Sequence, residues 1–294
     1  MANVANKVFF RPTGYSKPAN IMEAVKLLAH YGKKGQFVAG GTDILVEKNP
    51  DIEVLIDITG LGLDYIKTTS NGIRIGAMTT FADIVTSAIL ANEPYNVLVQ
   101  AACQMGTPQI RNVATIGGNV CSAVPSADSV PALLVLDATF NIASPNGNRS
   151  IEVTDFFRDT RKTALNGSEL LTEIQISVLP TRTGAIFLKK GRTATGDLAL
   201  VNAAVRLTMT ADNICQDVRI ALGAVAATPL RIRKAEEMLR GEKPRDTLLK
   251  EVADCVSKEI KPINDMRSSA AYRRTLSQIL VERALKKVVT KLSA

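Results

Sequence analysis

Two stretches carry residue types suited to holding an anionic ligand: "QFVAGGTDIL" (Gln36 to Leu45) and "ATIGGNVCS" (Ala114 to Ser122). Each breaks an apolar run with a Gly pair. Each also sets polar donors beside it, Thr42 in the first and Thr115 and Asn119 in the second. Gly reaches φ > 0 without steric cost, so either pair suits a tight turn after a buried strand. Consecutive backbone N–H groups with no side chain in the way also form a concavity for anionic oxygens. With a later carboxylate, Asp128, the two loops suit a ligand that has a diphosphate and several hydroxyls. Neither loop matches a familiar phosphate motif. "GLGLDY" lacks the third glycine of G-x-G-x-x-G, and no G-x-x-x-x-G-K-[ST] occurs.

The remaining inventory narrows the chemistry. His30 is the one histidine, so a catalytic triad or a multi-His metal site is excluded. It falls at the end of a predicted helix, where a cation is favourable. The four cysteines, Cys103, Cys121, Cys215 and Cys255, form no C-x-x-C pair. Zinc ribbons and thiolate-held iron–sulfur clusters therefore lack their usual ligand spacing. Reduced, mostly buried thiols are expected, with Cys121 a small packed residue.

At 294 residues, with 46% hydrophobic and 22% charged residues, the chain reads as globular, with two or three domains. No apolar run approaches a membrane span. "MANVANKVFFRPTGYSKP" has no apolar core of a secretory signal, so a cytoplasmic location is expected. Of the net charge of +8, residues 231–294 carry +7, with 16 Lys/Arg against 9 Asp/Glu. That basic third suits an acidic partner or an anionic dinucleotide. Nucleic acid fits poorly, because the charges are interspersed with acids and Tyr272 is the one aromatic there.

Asn20 and Glu23 make a capping-box-like start. Ile21, Ala24, Val25 and Leu28 then line one helical face, and Gly32 closes it. "QFVAGG" and "VLIDIT" read as buried strands, which suggests a small βαββ unit. "GIRIGAMTTFADIV" reads as a strand and then a helix opened by Thr, and "NVLVQAACQM" as a buried helix. "IEVTDFF" and "ELLTEIQISVLP" look strand-rich. Pro180 with "TRTG" marks a domain boundary. Beyond it, "GAIFLKKG", "LALVNAAVRLTMT" and "VRIALGAVAATPL" read as three antiparallel strands, followed by three helices, an α+β arrangement. The expected domains are 1–179, with subdomains of about 1–58 and 59–179, and 180–294.

"VAGGTDIL", "QIRNVATIGGNVCSAVPSADSVPALLVLDA" and "FLKKGR" resemble the FAD-binding subunit of molybdenum hydroxylases, of the xanthine dehydrogenase and carbon-monoxide dehydrogenase type. The likeness continues through "ALGAVAATPLRIRKAEEMLRG" and "DMRSSAAYRRTLSQILVERAL", and so covers nearly the whole chain. The resemblance implies a two-part FAD-binding domain of the PCMH (vanillyl-alcohol-oxidase-like) type. A C-terminal domain of a three-stranded antiparallel sheet plus three helices would follow it. It implies that Val38, Ala39, Gly40, Gly41, Thr42, Asp43 and Ile44 wrap the diphosphate of a non-covalent FAD. Ala114, Thr115, Ile116, Gly117, Gly118 and Asn119 would form the second wall, with Ser122 and Asp128 reaching cofactor hydroxyls. Met105 and Gly106 would lie by the flavin, Leu171 and Lys189 would contact it, and Leu198 would sit over the ring. Two departures stand out: Thr193 where many relatives have a second Arg, and Ala114 where Gly is frequent. From the residues alone, Asp128 also suits a helix cap and Lys189 an ordinary surface site.

The implied role is a FAD-carrying electron-transfer subunit of a molybdenum-containing complex. Iron–sulfur and molybdenum-cofactor subunits would be its partners, since this chain has ligands for neither group. NAD(P)+ or another acceptor would take the electrons. One alternative is a self-sufficient FAD-dependent dehydrogenase or reductase, which needs acid–base groups over the flavin. Another is a non-enzymatic nucleotide-binding module.

Overall fold

The computed structural model describes residues 10–193 and 196–293. The first half of the N-terminal stretch read for a signal sequence, residues 1–9, lies outside them. The first lobe runs β1 (Gly14–Ser16), α1 (Ile21–Tyr31), β2 (Gly35–Val38), α2 (Ile44–Glu47) and β3 (Val54–Asp57). Its three strands are parallel, in the order β1-β3-β2. The start of α1 is capped as its sequence predicts. Asn20 accepts the Glu23 N–H at 2.9 Å, and Glu23 accepts the Ala19 N–H at 2.7 Å. Ala24, Val25 and Leu28 are buried, and Gly32 at φ 54° ends the helix. The expected βαββ unit is instead βαβαβ. Parallel strands need a crossover, and the chain winds α2 between β2 and β3 straight after the first glycine loop.

The second lobe begins with β4 (Ile66–Thr69), β5 (Gly72–Gly76), α3 (Phe81–Thr86), α4 (Asn96–Cys103), α5 (Pro108–Arg111), α6 (Ile116–Cys121) and α7 (Ser129–Val135). It continues through β6 (Thr139–Ser144), β7 (Gly147–Glu152), α8 (Val153–Phe156), β8 (Phe157–Asp159), β9 (Lys162–Thr163) and β10 (Leu170–Ser177). Five strands form an antiparallel sheet in the order β4-β5-β10-β6-β7. Thr80 and Asp83 cap α3 reciprocally. "IEVTDFF", expected as strand, turns into α8 after Glu152. The turn buries Val153 and Phe156, and Phe156 packs edge-on to Phe140 with ring centroids 4.9 Å apart.

The C-terminal domain has β11 (Thr183–Lys190), β12 (Val201–Met209), β13 (Cys215–Gly223), β14 (Leu230–Arg231), α9 (Arg233–Leu239), α10 (Asp246–Glu259) and α11 (Ala270–Ser293). Its antiparallel sheet, β11-β12-β13-β14, has one strand more than expected. The two residues of β14 are too few to show alternation in a sequence. All nine residues of β12 are buried, because α11 packs against this strand and so does α7 of the second lobe. The outer edge of β11 is satisfied by side chains of that lobe. Ala185 N–H donates to Glu93 Oε2 at 3.2 Å and Phe187 N–H to Gln100 Oε1 at 2.9 Å. An edge covered in this way is closed to further pairing.

Candidate functional site

The first glycine loop leaves the carboxyl end of β2. Ile58 N–H binds the Val38 carbonyl at 3.1 Å and ends the pairing with β3. Among the described residues, no protein acceptor takes the backbone N–H groups of Ala39, Gly40, Gly41, Thr42 and Asp43. Buried N–H groups nearly always find a partner. Five in succession on a half-exposed loop form a ready anion cradle. Gly41 adopts φ +71°, a conformation that L side chains rarely take. Gly40 has a different reason to be small. A Cβ there would overlap the Val113 carbonyl, because the first loop lies directly on the approach to the second.

The second loop behaves differently from its sequence reading. Thr115 caps α6, with Gly118 N–H donating to its hydroxyl at 3.1 Å. The Ile116, Gly117 and Asn119 N–H groups go to the carbonyls of Thr79 (3.0 Å), Ala77 (2.9 Å) and Thr115 (3.0 Å). None of these four donors is free, so this loop is a wall and not a second N–H cradle. A Cβ on Gly117 would meet Ala77 O at 2.6 Å. Its smallness therefore seats α6 against the end of β5. Asn119 accepts from the Ser129 hydroxyl at 2.7 Å. Its amide N–H₂ has no protein acceptor among the described residues. Ser122 joins the two loops, donating to the Asp43 carboxylate.

Asp128 and Lys189 meet across the boundary between the second lobe and the C-terminal domain. Lys189 Nζ lies 2.5 Å from Asp128 Oδ2 and 2.9 Å from the Gln104 carbonyl. Asn202 Nδ2 donates to Asp128 Oδ1 at 2.8 Å. Both charged side chains are buried, which sets aside the surface reading of Lys189. Burial raises the Asp128 carboxyl above its ordinary value, against the opposing pull of Lys189 and Asn202. Although Asp128 precedes α7, its side chain makes no cap bond. Lys189 also ties down the segment that leads into Met105 and Gly106. Arg111 also holds that segment, with Nη1 at 3.0 Å from the Met105 carbonyl.

Met105 and Ala114 are both buried in the main core, while Gly106 is half-exposed at φ +50°. Leu171 is buried in the core at β10, whereas Leu198 is exposed. Burial pushes the Cys121 thiol up to about 12, as befits a packed residue. The structure thus brings together Val38 to Ile44, Ala114 to Asn119 and Ser122 as touching loops, and pairs Asp128 with Lys189. Asn202 was missed. Its signal was a lone amide within "LALVNAAV".

An anion cradle at the end of a parallel βαβαβ lobe, walled by a second lobe, defines a bilobed FAD-binding fold of the PCMH type. Residues 10–178 match the model of the FAD binding domain in molybdopterin dehydrogenase. Residues 186–288 match that of the CO dehydrogenase flavoprotein C-terminal domain. The chain is 33% identical to the glyceraldehyde dehydrogenase medium chain of Sulfolobus acidocaldarius, over 93% of this chain and 97% of that one. It superposes with a TM-score of 0.90 on carbon monoxide dehydrogenase from Hydrogenophaga pseudoflava, at 32% identity over 94% and 96% of the two chains. With quinoline 2-oxidoreductase from Pseudomonas putida 86 the TM-score is 0.89, at 27% identity over 97% and 99%. The chain belongs to the family of FAD-binding subunits of molybdopterin dehydrogenases. It is an oxidoreductase subunit that serves electron transfer within a molybdenum-hydroxylase-type complex. Among the described residues no group of His, Cys, Asp or Glu is placed to hold a metal, and no helix is long and apolar enough to cross a membrane.

Proposed function

We propose that FAD binds without a covalent link along the two glycine loops and that the chain passes electrons from an iron–sulfur partner to NAD(P)+ or a similar soluble acceptor. The observation that carries this is the run of five unpartnered N–H groups from Ala39 to Asp43. The cradle fits the diphosphate oxygens. The wall from Ala114 to Asn119 closes its far side, and Ser122, Asp128 and the Asn119 amide offer partners to hydroxyls. Bound there, FAD supplies the redox chemistry that this chain's own side chains lack. The protein's part is to bind and orient: Gly40 and Gly41 leave the approach open, and Lys189 fixes the segment from Gln104 to Gly106. The domains divide near Pro180, as 1–179 and 180–294, with the first splitting near residue 58.

Molybdenum and iron–sulfur groups reside on partner subunits in this reading, and substrate oxidation takes place there. The test is the isolated, FAD-loaded chain under anaerobic conditions. It is expected to bleach with NADH yet show no turnover with purines, aldehydes or N-heterocycles. Turnover at rates ordinary for enzymes, roughly 1–1000 per second, would favour a self-sufficient flavoenzyme. Failure to bleach would remove NAD(P)+ as acceptor.

A further inference from the structure

We infer that Asn202 is a positioning residue of the flavin site: from the C-terminal domain, it sets the orientation in which Asp128 is presented to the cofactor. The inference rests on the FAD reading above.

Asn202 is fully buried on β12, between the apolar Val201 and Ala203. Its amide nitrogen donates to Asp128 Oδ1 at 2.8 Å and, more weakly, to the Ala127 carbonyl at 3.4 Å. Its Oδ1 is buried with no donor. An unmet buried acceptor costs stability, so packing alone does not call for an amide in this strand. The neighbouring strand makes room for it. Gly223 of β13 stands opposite in register, and a Cβ there would overlap Asn202 Oδ1.

The consequence lies in the carboxylate. Lys189 takes Oδ2 and Asn202 takes Oδ1, so two strands of the C-terminal sheet fix the plane of a group that belongs to the second lobe. Among the described residues Lys189 is the charged group that faces Asp128. Without the Asn202 donor, the carboxylate keeps one partner, turns more freely and takes up a proton more readily. Hydrogen bonding to the charged form is what holds a buried carboxylate ionised.

The test is titration of the full-length apoprotein with FAD from pH 5 to 8, followed by flavin fluorescence, for wild type, Asn202→Leu and Asn202→Ser. Wild type is expected to lose affinity only toward the acid end. Both variants are expected to bind about tenfold more weakly at pH 7. Their acid loss should begin at higher pH, with the far-UV circular dichroism unchanged. An amide that serves packing alone would lower the unfolding temperature and leave the acid limb where it is. Wild-type affinity and an unmoved acid limb in a folded variant overturn the assignment and leave the FAD reading intact. A wild-type chain that takes up no FAD overturns both. Should Asn202→Leu not fold, Asn202→Ser, smaller and polar, decides by the same two readouts.

Discussion

Gly40 lies against the carbonyl of Val113, so close that a methyl group on Gly40 would overlap the oxygen. The contact joins two glycine loops about seventy-five residues apart in sequence and makes one site of them. Gly40→Ala must therefore push the loops apart, against a backbone group that has little room to yield. Gly41→Ala meets nothing nearer than Leu45 Cδ1 at 3.4 Å. Its cost is the left-handed backbone alone, about 1–2 kcal/mol. Gly40→Ala is expected to lose FAD at least tenfold more readily than Gly41→Ala, measured as bound flavin per chain after gel filtration. Equal flavin content in the two variants would refute the loop contact.

Gly117 tests the wall reading. A side chain there collides with Ala77, so Gly117→Val should destabilise the fold and not merely block the ligand. Strain at such a site typically costs more than about 2 kcal/mol. A lowered unfolding temperature in the FAD-free protein is the expected result. A variant with wild-type stability and lost FAD would place Gly117 on the ligand instead.

The buried pair of Asp128 and Lys189 carries a sharper prediction. Lys189→Met strands a buried carboxylate, and breaking such a pair from one side costs about 3–5 kcal/mol. The double variant Asp128→Asn with Lys189→Met should recover much of that loss. Urea unfolding of the four proteins gives the cycle. Additive losses would show that the two side chains do not interact.

Much of this arrangement was legible in the residues. The Asn20 and Glu23 cap, the Ile21 to Leu28 face and the runs that became β10, β12 and β13 follow from local pattern, which is set by neighbours in sequence. The glycine loops were legible as a pair, but their division of labour was not. Whether the N–H of Gly117 is spent depends on Ala77, some forty residues away, and nothing local signals that. For the same reason Asp128 read as a cap or a cofactor contact, while its partners Lys189 and Asn202 arrive from another domain. The two-residue β14 and the single turn of α8 are too short to carry a period.

Acid should loosen the C-terminal domain in a defined way. Burial pushes Asp265 upward, but hydrogen bonds from the Arg267 side chain and backbone and from the Ser268 N–H outweigh it and hold the carboxyl well below its ordinary value. Arg273, buried within α11, bonds both Asp265 oxygens at 2.9 Å. A carboxyl lowered on folding stabilises the native state above its unfolded value, about 4, and loses that contribution as pH falls through its folded value. Stability is therefore expected to decline from about pH 4 downward. Asp265→Asn should be less stable at pH 7 and show a flatter decline. An identical acid slope in both proteins would remove Asp265 from the account.

Thiol chemistry offers an independent check on burial. Desolvation pushes Cys121 and Cys215 up to about 12, and Cys255 is raised as well. Cys103 is exposed on α4. Native protein at pH 8 should react rapidly with iodoacetamide at Cys103 and slowly at the other three, since the thiolate is the nucleophile. Peptide mapping by mass spectrometry reads this directly. Rapid labelling of Cys121 would mean that the wall of the site is open.

The central claim is that the cradle from Ala39 to Asp43 and the wall from Ala114 to Asn119 hold one FAD without a covalent bond. Its most direct test is the flavin content of the purified full-length chain, incubated with FAD, freed of excess by gel filtration and then precipitated with acid. The account predicts a yellow protein that releases one FAD per chain into the supernatant, with none left on the pellet. A colourless protein after that incubation, or flavin that stays on the denatured chain, would contradict it.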